Sequence, residues 1–231
     1  MSIPATSRRS FVQRKLELAG ARFTQAGDAL VAAAFGNAAA EAEGARNLGL
    51  ADLSPLPRCG FKGPRTIEWL DAHGVQARAD PNWAFAQSDG ALVAMLSWSE
   101  ALVLDDPLGG NGPSARLASA WSLDDASGCY ALERRDSHYW FAVCGARAAE
   151  PLSKLCAVDL RPEMFAMGRI AQTTLARSNA IVIRVDIGST LAYYVLGDSG
   201  SAEYIWDSLL DAMQEFDGQP AGIDGLRRLK S

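Results

Sequence analysis

Residues 202–216 constrain this chain more than any other stretch. Ile205, Leu209, Ala212, Met213 and Phe216 recur at spacings of four, three, one and three, which makes one apolar stripe, while Glu203, Asp207, Asp211 and Glu215 fall on the other side. Such a helix is stable only against a larger apolar surface. The segments before it supply one, because residues 170–176, 180–185 and 191–196 are short runs rich in β-branched and aromatic side chains, separated by turn-forming residues. The helix must therefore lie on a sheet, and short strands separated by tight turns imply antiparallel pairing.

The rest of the chain extends this α+β pattern. Residues 139–144 read as a strand and 148–156 as a helix with Pro151 near its start; 91–96 and 101–104 read as an antiparallel hairpin whose four-residue loop is Ser97-Trp98-Ser99-Glu100. Gly63-Pro64 opens a helix that Gly74 stops, with Ile67, Trp69 and Leu70 on its buried side. Residues 11–20 form a short amphipathic helix, 29–35 an apolar run of either strand or helix, and 36–44 a connection or weakly packed helix. Between 105 and 126 the Asp-, Gly- and Pro-rich composition predicts an exposed loop with a short helix near Trp121. It divides the chain into two intertwined halves, 1–120 and 121–231. The predicted class is antiparallel sheets covered by helices, a layered α+β arrangement.

Composition excludes several functions. Asp and Glu outnumber Lys and Arg by 27 to 22 with no long basic cluster, so nucleic acid is a poor partner. No run of eighteen apolar residues exists to span a membrane. The four cysteines, Cys59, Cys129, Cys144 and Cys156, make no C-x-x-C pair and three lie in apolar runs, as expected in a reducing, cytoplasmic setting. Ser7-Arg8-Arg9-Ser10-Phe11-Val12 has the look of a twin-arginine export motif, but Lys15, Glu17, Arg22 and Asp28 interrupt the apolar stretch such a signal needs, so the N-terminal segment is read as structured and retained.

Chemistry-bearing motifs are scarce. His73 and His138 are the only histidines, too far apart and too poorly accompanied for a metal site or a nucleophile–histidine set. Neither G-x-G-x-x-G nor G-x-x-x-x-G-K-[ST] occurs, and Gly109-Gly110-Asn111-Gly112-Pro113 precedes no strong helix, so no nucleotide cofactor is expected in this chain. The pairs Asp105-Asp106 and Asp124-Asp125 read as turn and cap residues rather than general bases. Of the six tryptophans, Trp69, Trp140 and Trp206 suit the core, whereas Trp83 and Trp98 lie beside turns and suit a partner contact; Phe85, close to Trp83, joins them in a candidate exposed apolar patch.

One stretch carries a family resemblance: residues 50–64, Leu-Ala-Asp-Leu-Ser-Pro-Leu-Pro-Arg-Cys-Gly-Phe-Lys-Gly-Pro, with Asp-x-Ser at Asp52–Ser54 followed by Gly-x-x-Gly-Pro at Gly60–Pro64. It resembles the gamma subunit of heterotetrameric sarcosine oxidase and, more loosely, the glycine-cleavage T-protein, an aminomethyltransferase. Residues 140–155, with Cys144-Gly145 leading into a helix, look like that fold's second repeat. The resemblance implies a shortened aminomethyltransferase-like fold without the C-terminal barrel. It also implies a subunit without a cofactor of its own, with flavin, and where present NAD and tetrahydrofolate, held by partner alpha and beta subunits.

Departures from the transferase pattern point the same way. The strand that carries a pair of aspartates in the transferase, one of them catalytic, reads Gly90-Ala91-Leu92-Val93 here, and the glutamate of the transferase's folate-side loop is missing from Val185-Asp186-Ile187-Gly188-Ser189-Thr190-Leu191. Gly128-Cys129-Tyr130 is superficially similar to part of the Lys-Gly-Cys-Tyr-x-Gly-Gln motif of a related folate-dependent family in iron–sulfur protein maintenance, but Ser127 and Leu132-Glu133 replace its lysine and Gly-Gln. No catalytic or metal residue is therefore expected. Asp52, Arg58, Lys62, Trp83 and Phe85 are the candidate ligand or partner contacts, with Asp52 expected to accept backbone N–H groups in its own turn.

Overall fold

A computed structural model describes residues 7–109, 112–124 and 128–230. The chain runs α1 (Gln13–Leu18), β1 (Arg22–Ala26), β2 (Ala29–Ala34), α2 (Ala38–Leu48), β3 (Gly49–Asp52), β4 (Arg58–Lys62), α3 (Thr66–Ala72), β5 (Trp83–Ala86), β6 (Leu92–Ser97), β7 (Glu100–Leu104) and α4 (Ser114–Ala120). It continues through β8 (Tyr130–Leu132), β9 (His138–Cys144), α5 (Ala149–Leu155), β10 (Ile170–Leu175), β11 (Ser178–Ile187), β12 (Thr190–Asp198), α6 (Ala202–Met213), β13 (Gln219–Pro220) and α7 (Ile223–Lys230).

The strands form a β1–β2 hairpin, a six-stranded sheet ordered β10-β11-β12-β9-β3-β13, and a five-stranded sheet ordered β5-β6-β7-β4-β8. All pairs are antiparallel except β13 with β3. Strands from both sides of residue 120 enter each of the two larger sheets, β3 pairing with β9 in one and β4 with β8 in the other. No barrel occurs among the described residues.

The alternation of side chains along β9 and β12 explains the layering. Tyr139, Phe141, Val143, Tyr193 and Val195 point to one face and pack with Ile205, Trp206, Leu209 and Met213 of α6, Leu152 of α5 and Leu16 of α1. Trp140, Ala142, Cys144, Ala192, Tyr194 and Leu196 point to the other and meet Ala94, Leu96, Leu102 and Leu104 of the five-stranded sheet. That second sheet turns Val93, Met95, Ala101, Val103 and Phe61 outward onto α3 and α4. The result is helix, sheet, sheet, helix, with α2 and α7 packing into the central layer. Because both faces of β9 are covered, its sequence is one continuous apolar run rather than an alternating one.

Several expectations are refined. Residues 29–35 resolve as a strand, since β1, unforeseen in the sequence, pairs with it through a turn at Gly27-Asp28. Residues 36–44 begin a true helix: Asn37 caps α2 by accepting from the N–H groups of Ala39 at 2.9 Å and Ala40 at 3.3 Å. The β6–β7 hairpin is tighter than a four-residue loop, with Ser97 opposite Glu100 and only Trp98-Ser99 between. Pro64 lies just before α3 rather than at its first position, and Gly63, at φ 141°, approaches Gly128 so closely that a Cβ there would sit 2.1 Å from its carbonyl oxygen.

Candidate functional site

The Asp52–Arg58 turn joins the two large sheets. Asp52 is buried at the end of β3, and its Oδ1 accepts the Ser54 N–H at 3.1 Å, the local bond expected of a short acidic side chain. Ser54 Oγ in turn accepts the Trp140 N–H at 3.0 Å. Burial pushes the Asp52 carboxyl above the usual carboxylate range, with the hydrogen bonds from Ser54 opposing it. Its Oδ2 is buried without a hydrogen-bond partner.

Arg58 fills the space behind this turn with all five of its N–H groups committed. Nε donates to the Arg134 carbonyl at 2.9 Å, Nη1 to the carbonyls of Ser54 at 2.8 Å and Leu56 at 3.1 Å, and Nη2 to those of Arg135 at 2.9 Å and His138. Burial lowers its pKa to about 9, which leaves it cationic at neutral pH. Arg58 and Asp52 are therefore sequestered in the architecture, a different position from that of a ligand contact. Lys62, on the solvent side of β4, pairs with Glu100 at 2.8 Å.

Trp83 and Phe85 follow the turn expected at Pro81-Asn82, but they enter an edge strand, β5, and are half-buried. Trp83 lies beneath the Arg169 guanidinium at 4.9 Å and Phe85 beneath that of Arg78 at 5.2 Å. The exposed aromatic patch expected there is thus covered by arginines. Trp98, at the β6–β7 tip, is 68% exposed and is the tryptophan that does stand free.

Asp105 and Asp106 do not form a mutually protonating dyad. Asp105, raised by burial, accepts both the N–H and the Oγ–H of Ser114 at 3.0 and 2.6 Å, while Asp106 accepts the Leu108 N–H at 2.9 Å and pairs with Lys230 at 2.7 Å. Asp125 and Ser127 lie outside the described residues, as do Gly110 and Asn111 of the glycine-rich run. No cluster of three or more potential metal ligands occurs among the described residues.

The two segments that depart from the transferase pattern converge on one place. Gly90-Ala91-Leu92 and Val185–Gly188 line opposite walls of a cleft of about 400 Å³ between the two large sheets. Ala84, Leu108, Met167 and Tyr194 complete its largely apolar lining, and Arg184, Asp186, Asp106 and Lys230 add charge. The Gly90–Leu92 segment supplies no carboxylate of its own, but that of Asp106 lies against Gly90, its Oδ2 2.6 Å from where a Cβ would sit. Arg184 donates through Nη1 to the carbonyls of Pro162 at 2.7 Å and Phe165 at 2.8 Å, whereas its Nε lies 3.8 Å from Asp186 Oδ1, and both of those atoms are buried without a hydrogen bond. These two residues were not singled out from the sequence. Their signal was there, two charges at alternate positions inside an otherwise apolar strand, Ile181-Val182-Ile183-Arg184-Val185-Asp186-Ile187.

Two antiparallel sheets packed face to face, helices on their outer faces and a cleft between them define an aminomethyltransferase-like α+β protein. The chain belongs to the GCVT N-terminal domain family, which matches residues 111–231. Aminomethyltransferase from Acidobacterium capsulatum is 27% identical over 107 residues, a match covering 44% of this chain and 27% of that protein. Among solved structures, the glycine cleavage system aminomethyltransferase T from Bartonella henselae superposes with a TM-score of 0.73 at 18% identity, over 96% of this chain and 61% of that one. A chain of heterotetrameric sarcosine oxidase from Corynebacterium sp. U-96, solved in complex with pyrrole 2-carboxylate, superposes with a TM-score of 0.64 at 21% identity, over 91% of this chain and 96% of that one. At these identities the superpositions establish the fold alone. The family match begins beyond the Asp52–Pro64 motif, so that motif's role rests on its geometry.

Proposed function

We propose that this chain is a non-catalytic accessory subunit of a cytoplasmic, multi-subunit, flavin-dependent sarcosine oxidase-like N-methyl amine oxidase or dehydrogenase. It holds neighbouring alpha and beta subunits in register, and those partners carry the flavin, and where present the NAD and tetrahydrofolate. The observation that carries this reading is the near end-to-end match to one chain of a heterotetrameric sarcosine oxidase, 91% of this chain against 96% of that one, whereas only 61% of the Bartonella transferase is covered. The absence of a carboxylate from the Gly90–Val93 segment favours it too, since the catalytic aspartate of the transferase has no counterpart there.

A second reading, a stand-alone folate-binding one-carbon transferase-like protein, draws on the inter-sheet cleft, which is open and lined by apolar side chains beside Arg184. Affinity purification of the tagged chain from its native host separates the two. Co-elution with subunits bearing flavin absorbance supports the accessory role; a chain that elutes alone and binds tetrahydrofolate tightly supports the enzyme.

A further inference from the structure

Four of the five methionines lie among the described residues, and they fall into two groups. Met95 and Met213 are fully buried, whereas Met164 is 67% exposed and Met167, on the lining of the inter-sheet cleft, is 49% exposed. The segment that carries the exposed pair is fastened at several points. Arg184 Nη1 holds the Pro162 and Phe165 carbonyls, Phe165 is buried against the core beside Tyr193, and Gly168 donates to the Arg184 carbonyl at 3.0 Å while accepting the Ala84 N–H at 2.7 Å. With Phe165 turned inward and both ends tied down, both methionines stay exposed, Met167 at the rim of the apolar cleft and Met164 three residues before it on the same segment.

We propose that Met167, at the mouth of this cleft, and the exposed Met164 three residues before it form a methionine-oxidation site, with a peroxide as reagent and methionine sulfoxide as product, which at Met167 turns an apolar rim polar. The thioether sulfur attacks one peroxide oxygen; the S–O bond forms as the O–O bond breaks, the sulfur loses two electrons, and the second oxygen leaves as hydroxide and takes the transferred oxygen's proton to become water. A sulfoxide is polar and a strong acceptor, so at Met167 it disfavours any apolar group seated beside Leu92, Leu108 and Ile187. A flavin amine oxidase that returns its electrons to oxygen makes peroxide next to its subunits, so the source of the reagent rests on the reading above. The chemistry of the site does not.

Peptide mass spectrometry of the full chain after graded hydrogen peroxide tests the site. Sulfoxide is expected at Met164 and Met167 at least about tenfold faster than at Met95 and Met213, and methionine sulfoxide reductases should reverse it. Titration with an anilinonaphthalene sulfonate dye reads the rim: oxidation should weaken its binding at least about threefold in the wild type and leave Met167→Leu unchanged. Equal rates at all four methionines, or the same loss of dye affinity in Met167→Leu, would overturn the proposal. Both arms use the isolated chain, so their failure leaves the accessory-subunit reading to be decided by co-elution.

Discussion

The Asp52–Arg58 turn and the inter-sheet cleft are built on opposite principles. The turn is the most distinctive motif in the sequence, yet Arg58 is buried and its five donors are taken by backbone carbonyls. The cleft has no such motif, and it is there that apolar surface stays open; Arg184 and Asp186 in it each keep a buried atom without a hydrogen bond, as Asp52 does in the turn. A conspicuous polar pattern can thus mark a joint between sheets. A bare, apolar stretch such as Gly90–Val93 can line an open cleft.

Arg58→Ala offers the strongest way to break this contrast. Five carbonyls that Arg58 serves would lose their donor, and uncompensated buried polar groups cost about 1–3 kcal/mol each before relaxation and water entry. A net loss of about 4 kcal/mol in unfolding free energy is expected from chemical denaturation. A variant as stable as the wild type would show that the turn is peripheral.

Trp98→Ala should act in the opposite manner. Its side chain is largely exposed, so folding stability should change by no more than about 0.5 kcal/mol, while association with partner subunits weakens at least about tenfold if the β6–β7 tip is a contact. Binding measured by interferometry or sedimentation checks both halves, and unchanged association would remove this tip from the interface.

A smaller effect comes from Asp52. Because burial raises its folded-state pKa above the unfolded value, the stability linked to its protonated form is fully present below the unfolded pKa, near 3.8, and is lost as pH rises through the folded value. Asp52→Asn keeps an acceptor for the Ser54 N–H and cannot ionise. The stability difference between variant and wild type should therefore move in favour of the variant as pH rises above the unfolded value, near 3.8, and a flat difference would show that Asp52 does not titrate in this way.

Legibility from sequence followed the range of the interactions involved. The α6 stripe and the strands now seen as β9 to β12 were readable because period and composition are local signals. The Asp52 bond to Ser54 was readable for the same reason, since it spans two residues. Arg58 was recognised but not its role, because three of its five partners lie 76 to 80 residues away. Strands β3 and β4 escaped notice: they are four and five residues long, β3 opening on Gly49 and β4 interrupted by Gly60, and both are defined by long-range pairs such as Leu50 with Val143 and Phe61 with Ala101. Helix α7 was missed because Gly222 and Gly225 mask the short stripe Ile223, Leu226 and Leu229, which buries only once α2 and β2 are in place.

The central claim is that this chain works by contact and that its cleft carries no chemistry of the assembly. Asp186 is the cleft carboxylate with a buried oxygen lacking a hydrogen bond, and so the one best placed to act as a base if the claim is wrong. Turnover of N-methylglycine by the complete assembly, purified with either wild-type chain or Asp186→Asn, tests this directly. The account predicts rates within about twofold of each other at equal subunit stoichiometry, since removing a base that acts in catalysis typically costs about 10²–10⁴-fold. A loss of that size in an intact assembly would contradict it.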